Sequence, residues 1–181
     1  MNLYLRLLRI LLKTPFARSM DLFATADIMF RVWPTDCDLN MHMNNGRYLT
    51  LMDLGRINFM ARVGLLAKLV RRRWFPVIAS VTSSYLRPLP PFRRFRLATR
   101  LLGWDEKYFY MEQCFYSNGR LCANMIVKGL MLNAGRPVPS EQVLALLDPG
   151  LQSPDIAELR QKMSLLANQQ RHLNNSNPGN N

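Results

Sequence analysis

Three hydrophobic patterns follow one another along the chain: a loosely alternating run, a long stretch with apolar residues on every side, then a series of period-two runs. Residues 24–33, Ala-Thr-Ala-Asp-Ile-Met-Phe-Arg-Val-Trp, alternate loosely and stop at Pro34, which predicts a first strand. From Asn44 to about Val70 there is no proline, and apolar residues spread around most of the helical circumference. A surface helix would keep one clean polar stripe, so this stretch predicts a helix buried along much of its length. Asn44 or Asn45 suits its N-cap. Arg71-Arg72-Arg73 place cations at the end that the macrodipole favours.

From Phe75 to Asn133 the pattern predicts strands only. The run Val77–Leu86 closes at Arg87-Pro88-Leu89-Pro90-Pro91, a proline-rich turn. Next, Phe95, Leu97, Thr99 and Leu101 alternate with Arg94, Arg96, Ala98 and Arg100, a period of two with one wetter face. Gly103-Trp104-Asp105-Glu106-Lys107 breaks that run. Tyr108–Tyr116 and Leu121–Leu132 then flank Ser117-Asn118-Gly119, and Asn-Gly between two strand-like runs is a hairpin signal. Past Pro137, residues 140–147 predict a short helix capped by Ser140, and residues 151–168 another. The Asn-rich polar sequence from Gln169 offers no core and reads as a disordered tail.

One strand, one long apolar helix and then four antiparallel strands is an α+β order. A single sheet of about five strands curling around one buried helix buries both apolar faces. The domain limits that follow are a basic amphipathic helix at 1–20, the main domain at 21–137, a helical extension at 138–168 and the tail at 169–181. With 181 residues, 49% of them hydrophobic, one domain with terminal extensions is the natural count.

Charge adds a constraint on partners. Twenty-four Lys and Arg against 12 Asp and Glu give a net +12, which favours something anionic: a phosphorylated small molecule, an acidic carrier protein, a membrane surface or a nucleic acid. Nucleic acid is disfavoured, because the arginines are not interleaved with a recognition helix or an RNA-binding motif. Cys37, Cys114 and Cys122 have no metal-binding spacing, so neither zinc nor a disulfide framework is expected, and free thiols suit a cytoplasmic protein. At the N-terminus Arg6 and Arg9 interrupt an apolar run that lacks a cleavage pattern, which argues against export. The spacing of residues 1–13 suits a helix that covers its own domain or a dimer partner, or lies on a membrane surface.

The candidate chemistry lies in Asp36-Cys37-Asp38-Leu39-Asn40-Met41-His42-Met43-Asn44-Asn45-Gly46-Arg47-Tyr48. Two carboxylates there precede the start of the long helix. A carboxylate activates water or attacks a carbonyl carbon, while free N–H groups at a helix start hold negative charge developing on the carbonyl oxygen. Hydrolysis of an activated acyl compound is the chemistry that pairing suggests. No cofactor and no metal are needed for it.

The same loop resembles that of the hotdog-fold acyl-CoA thioesterases of the 4-hydroxybenzoyl-CoA thioesterase type, similar to D-x-D-x-x-G-H-V-N-N-x-x-Y, and the resemblance covers roughly residues 24–133. Within it, His42–Leu49 together with Arg100-Leu101-Leu102-Gly103-Trp104-Asp105 is similar to the thioesterase superfamily member 6-like branch. The resemblance implies that Asp38 is the catalytic carboxylate, as general base or nucleophile. It also implies a homodimer or dimer of dimers, active sites at the subunit boundary, and basic residues gripping coenzyme A.

Backbone N–H groups around Asn45, Gly46 and Arg47 are the candidate donors to the acyl oxygen, and His42 is a further catalytic candidate. Arg73, Arg87, Arg93, Arg94 and Tyr48 are the candidates for substrate and coenzyme A contacts, since arginine binds phosphate bidentately. Asp53 and Arg56, three apart on the helix, are expected to pair. One departure stands out: the family glycine is Met41 here, and a Cβ at that point changes how closely backbone approaches the acyl carbonyl. Two further readings remain open at this stage, an acyl-carrier-protein thioesterase and a non-catalytic module binding an acyl ligand or a membrane surface.

Overall fold

The computed structural model describes residues 3–13 and 19–175. Helix α1 spans Leu3–Lys13, strand β1 Ala26–Arg31, and a 3-10 turn Pro34–Asp36. Two helices follow, α2 at Asn45–Arg62 and α3 at Leu66–Arg72. Strands β2 (Trp74–Tyr85), β3 (Arg94–Trp104), β4 (Phe109–Ser117), β5 (Arg120–Asn133) and β6 (Arg136–Val138) come next, then α4 (Ser140–Leu144) and α5 (Ala157–Asn175). All strand pairs are antiparallel, in the spatial order β1-β3-β4-β5-β2, with β6 also pairing β5.

Helix α2 lies on this sheet because its apolar residues point inward on more than one side: Tyr48, Leu51, Met52, Leu54, Phe59 and Met60 are all buried. Gly55 sets how closely the helix approaches. A Cβ there would stand 2.7 Å from Gln113 Nε2, 2.7 Å from Thr99 Oγ1 and 2.8 Å from Leu97 Cδ2. Gln113 and Thr99 are fully buried polar residues satisfied by each other and by the helix. Gln113 Nε2 donates to the Met52 carbonyl and to Thr99 Oγ1, each at 3.0 Å, and Arg56 donates to Gln113 Oε1 at 2.6 Å. Arg56 also pairs with Asp53, as the three-residue spacing predicts.

The turns follow the local chemistry. Asn118 (φ 51°) and Gly119 (φ 72°) make the two-residue hairpin between β4 and β5. A second hairpin of the same kind, Ala134 (φ 46°) and Gly135 (φ 79°), returns the chain into β6. That strand leaves no signal in the sequence, because its three residues are too few for any period to show.

The predicted helix from Asn44 to Val70 is two helices. Gly64, in the left-handed region at φ 76°, interrupts it after Arg62, and the chain resumes at Leu66. Ser140 does not cap α4: Pro139 is the N-cap residue, and Ser140 Oγ is buried without a hydrogen-bond partner among the described residues. Helix α5 continues to Asn175, into the segment whose composition predicts no structure; residues 176–181 lie outside those described.

Helix α1 and the segment before α5 both pack on the domain. Leu3, Leu7 and Ile10 of α1 pack on the core around Val32, Met43 and Tyr48. At the other end the segment before α5 crosses Gly103, where a Cβ would meet Ile156 Cγ2 at 2.8 Å and Ser153 Oγ at 2.9 Å. Trp104 N–H donates to Ser153 Oγ at 2.9 Å, and Arg160 reaches Asp105 at 3.5 Å. Burial alone would raise the Asp105 carboxyl. The N–H groups of Lys107 and Tyr108, the Tyr110 hydroxyl and Arg160 outweigh that and hold it below its ordinary value. The Gly103-Trp104-Asp105 motif is therefore where the C-terminal segment docks.

Candidate active site

Residues 36–44 form a small closed hairpin that leads into α2. Cys37 and Met43 make an isolated antiparallel bridge. Asn44 N–H donates to the Asp36 carbonyl (2.9 Å) and Asp38 N–H to the His42 carbonyl (3.1 Å). Met43 N–H donates to the Leu89 carbonyl at 2.9 Å, so the hairpin is tied to the turn between β2 and β3. One arm carries Asp38 and the other carries the helix start.

Asp38 is partly exposed, its side chain at 31%. Its Oδ1 accepts the Asn40 N–H at 2.9 Å, an Asx-type turn that fixes the carboxylate. Oδ2 has no hydrogen-bond partner among the described residues and is open to water or a substrate. His42 Nδ1 lies 4.0 Å from Asp38 Oδ1, too far for a direct hydrogen bond. Cys37 is no better placed as a nucleophile: burial, and then the Asp36 and Asp38 charges, push its thiol upward, away from thiolate.

At the helix start Asn44 is the cap, its Oδ1 accepting the Gly46 N–H at 2.8 Å. Arg47 N–H donates to the Asn44 carbonyl at 2.9 Å. Of the three donors suggested by the sequence, Gly46 and Arg47 are therefore engaged within the cap. The Asn45 N–H donates to nothing among the described residues. Gly46 suits its place, since a Cβ there would stand 3.2 Å from the capping oxygen.

Asp36 is almost wholly buried, 1% exposed, and carries the base of the hairpin. Its Oδ2 accepts the Trp33 N–H at 2.9 Å and a bond from Arg6 of α1, while Arg47 Nε stands 3.4 Å from Oδ1. Arg6 is the participant that reading the sequence missed. The one signal was an arginine among the inward-facing positions 3, 6, 7 and 10 of an otherwise apolar helix face.

The remaining candidates divide. Tyr48 is in the core, 3% exposed, its ring edge-on to Tyr85 (5.1 Å) and Phe115 (4.8 Å). Burial, first of all, raises its hydroxyl pKa far above the ordinary range. Arg87, Arg93 and Arg94 are exposed on the turn that the hairpin touches, Arg87 donating to the Leu121 carbonyl at 2.7 Å. Arg73 stands apart, at the opposite end of β2, in the left-handed conformation that ends α3. Near that far end lies an apolar cavity of about 60 Å³ between the second half of α2 and the sheet, lined by Phe59, Met60, Val77, Ile78, Met111 and Gly129.

A family model described as the Thioesterase-like superfamily matches residues 32–159, a span that includes the hairpin, helices α2 to α4 and the whole sheet after β1. The chain belongs to the Thioesterase-like superfamily. It is 34% identical over 140 residues to Protein THEM6 of Danio rerio, a match covering 76% of this chain and 68% of that one. It is 26% identical over 121 residues to the Probable thioesterase YBR096W of Saccharomyces cerevisiae, covering 65% of this chain and 49% of the other. The chain thus spans about half to two thirds of these relatives. Among solved structures it resembles a thioesterase from Thermus thermophilus complexed with coenzyme A and Zn, with TM-score 0.60, 25% identity, and coverage of 69% and 97%. The sheet curled on α2 is the hotdog fold of these thioesterases, and thioester hydrolysis is the chemistry that goes with this thioesterase-like family.

Met41 holds the tip of this loop in a conformation that favours glycine. Its φ is 58°, left-handed, and its N–H closes the turn onto the Asp38 carbonyl at 3.1 Å. A side chain in that region costs about 1–2 kcal/mol, and that of Met41 is 64% exposed.

Proposed function

We propose that this protein hydrolyses the thioester of an acyl-CoA to a free acid and coenzyme A, in the cytoplasm. Asp38 serves as general base or nucleophile, and the Asn45 N–H at the start of α2 polarises the acyl carbonyl. The observation that carries this reading is one hairpin presenting both an open carboxylate oxygen and a helix N–H with no partner among the described residues. Arg87, Arg93 and Arg94 at the same end suit the coenzyme's phosphates. A thiol-release screen over short, aromatic, dicarboxylic and long-chain acyl-CoAs is expected to find turnover with at least one class. Tight acyl-CoA binding with no thiol released from any of them would replace the enzyme with a binding module. Release from acyl carrier protein alone would change the acyl donor.

The active unit in this reading is a homodimer. Strand β2 is a 12-residue edge strand carrying exposed Phe75, Val77, Ile78 and Tyr85, an edge that a lone chain leaves open to pairing. Antiparallel pairing of two such edges brings the Arg73 end and the apolar cavity of one protomer toward the Asp38 end of the other. Sedimentation is expected to give at least twice the 21.0 kDa chain mass, and a monomer at working concentration would refute it. Exposed Leu5, Leu8, Leu11 and Leu12 on α1, beside Arg9, support contact with an anionic membrane surface. No described helix is long and apolar enough to cross a membrane.

A further inference from the structure

Helix α1 does more than cover the domain. Arg6 is 3% exposed, so its charge has left water and must be compensated where it lies. It donates to Asp36 Oδ2 and, at 3.4 Å, to the Arg31 carbonyl, with its guanidinium 5.9 Å from the Phe30 ring centre. Asp36 in turn holds both arms of the hairpin. Its carbonyl accepts the N–H of Asn44, the α2 cap, and two residues further along the other arm is Asp38.

Asp36 is therefore the point at which α1 grips the hairpin that carries both groups. We propose that Arg6 is a positioning residue for the reaction: through Asp36 it fixes the hairpin that carries Asp38 and leads into the Asn45 N–H. The proposal rests on the reading in which those two groups act on the thioester. Leu3, Leu7 and Ile10 already supply apolar docking for α1, so the buried charge is not required merely to seat the helix. A misplacement of the order of 1 Å at a reacting centre is enough to cost about a hundredfold in rate.

The test uses the full chain and the fastest acyl-CoA of the screen. Arg6→Met is expected to lower kcat at least tenfold with KM changed less than threefold, and Arg6→Lys to recover part of the loss. Arg6→Met combined with Asp36→Asn removes both charges. It is expected to regain thermal stability relative to Arg6→Met but to keep the low kcat. Ile10→Ala is expected to lower the midpoint while kcat in the folded temperature range stays near wild type. Wild-type kcat in the double variant, or kcat falling in Ile10→Ala as far as in Arg6→Met, would show the pair to be structural only and overturn the proposal. Should Arg6→Met not fold, the double variant and Arg6→Lys decide it by the same readings. Asp38→Asn run alongside separates the two levels. If it is inactive while the Arg6 variants keep full kcat, only this inference falls; if it is fully active, the reading beneath it falls as well.

Discussion

Asp38→Asn is expected to lower thiol release at least about a hundredfold, equivalent to roughly 2.7 kcal/mol of transition-state stabilisation. Asparagine keeps the shape, and its Oδ1 can still accept the Asn40 N–H that holds the present carboxylate. What it loses is the basic, nucleophilic oxygen on the open side. Because the side chain is partly exposed and lies outside the buried Arg6–Asp36 pair, the thermal midpoint is expected to move little. A variant within threefold of wild-type turnover would remove Asp38 from the chemistry. An inactive variant whose midpoint collapses would instead mean that the loop, and not the oxygen, had been lost.

The second large effect is on stability. Gly55→Ala puts a methyl group 2.7–2.8 Å from three atoms of Gln113, Thr99 and Leu97, all fully buried. Helix propensity alone favours alanine over glycine by about 1 kcal/mol. Against that stand about 1–3 kcal/mol for overpacking and about 1–3 kcal/mol if a buried Gln113 hydrogen bond breaks. The unfavourable terms win, for a net loss of about 2–4 kcal/mol in a urea or thermal melt. A Gly55→Ala protein as stable as wild type would show that α2 does not bear on β3 and β4 at this point.

Much of the fold was legible in the chain. The strands from Phe75 to Asn133 followed from their period and from Asn118-Gly119, because cross-strand alternation and φ > 0 turns are local properties. The length of α2 was not legible: nothing in Arg62-Val63-Gly64-Leu65-Leu66 says whether a glycine will be carried through a helix or used to end one, and packing decided. The helix cap was narrowed to two asparagines, and hydrogen-bond geometry chose Asn44. Tyr48 was placed by packing rather than by its motif. Its place in the motif suggested a contact with substrate, yet its ring fills the core between Tyr85 and Phe115.

By itself the sequence determined which chemistry the chain can offer: two carboxylates two residues apart, a helix start six or seven residues after the second of them, and arginines in excess. It also determined the α+β order, since periodicity is set residue by residue. Only the tertiary structure decided which groups remain available. It occupied the Gly46 and Arg47 N–H groups in the cap, left that of Asn45 without a partner among the described residues, placed Met41 in a left-handed turn, and brought Arg6 across thirty residues to Asp36. The physical reason is that burial and hydrogen-bond competition depend on every element meeting at a point, and no local pattern in the chain records that meeting.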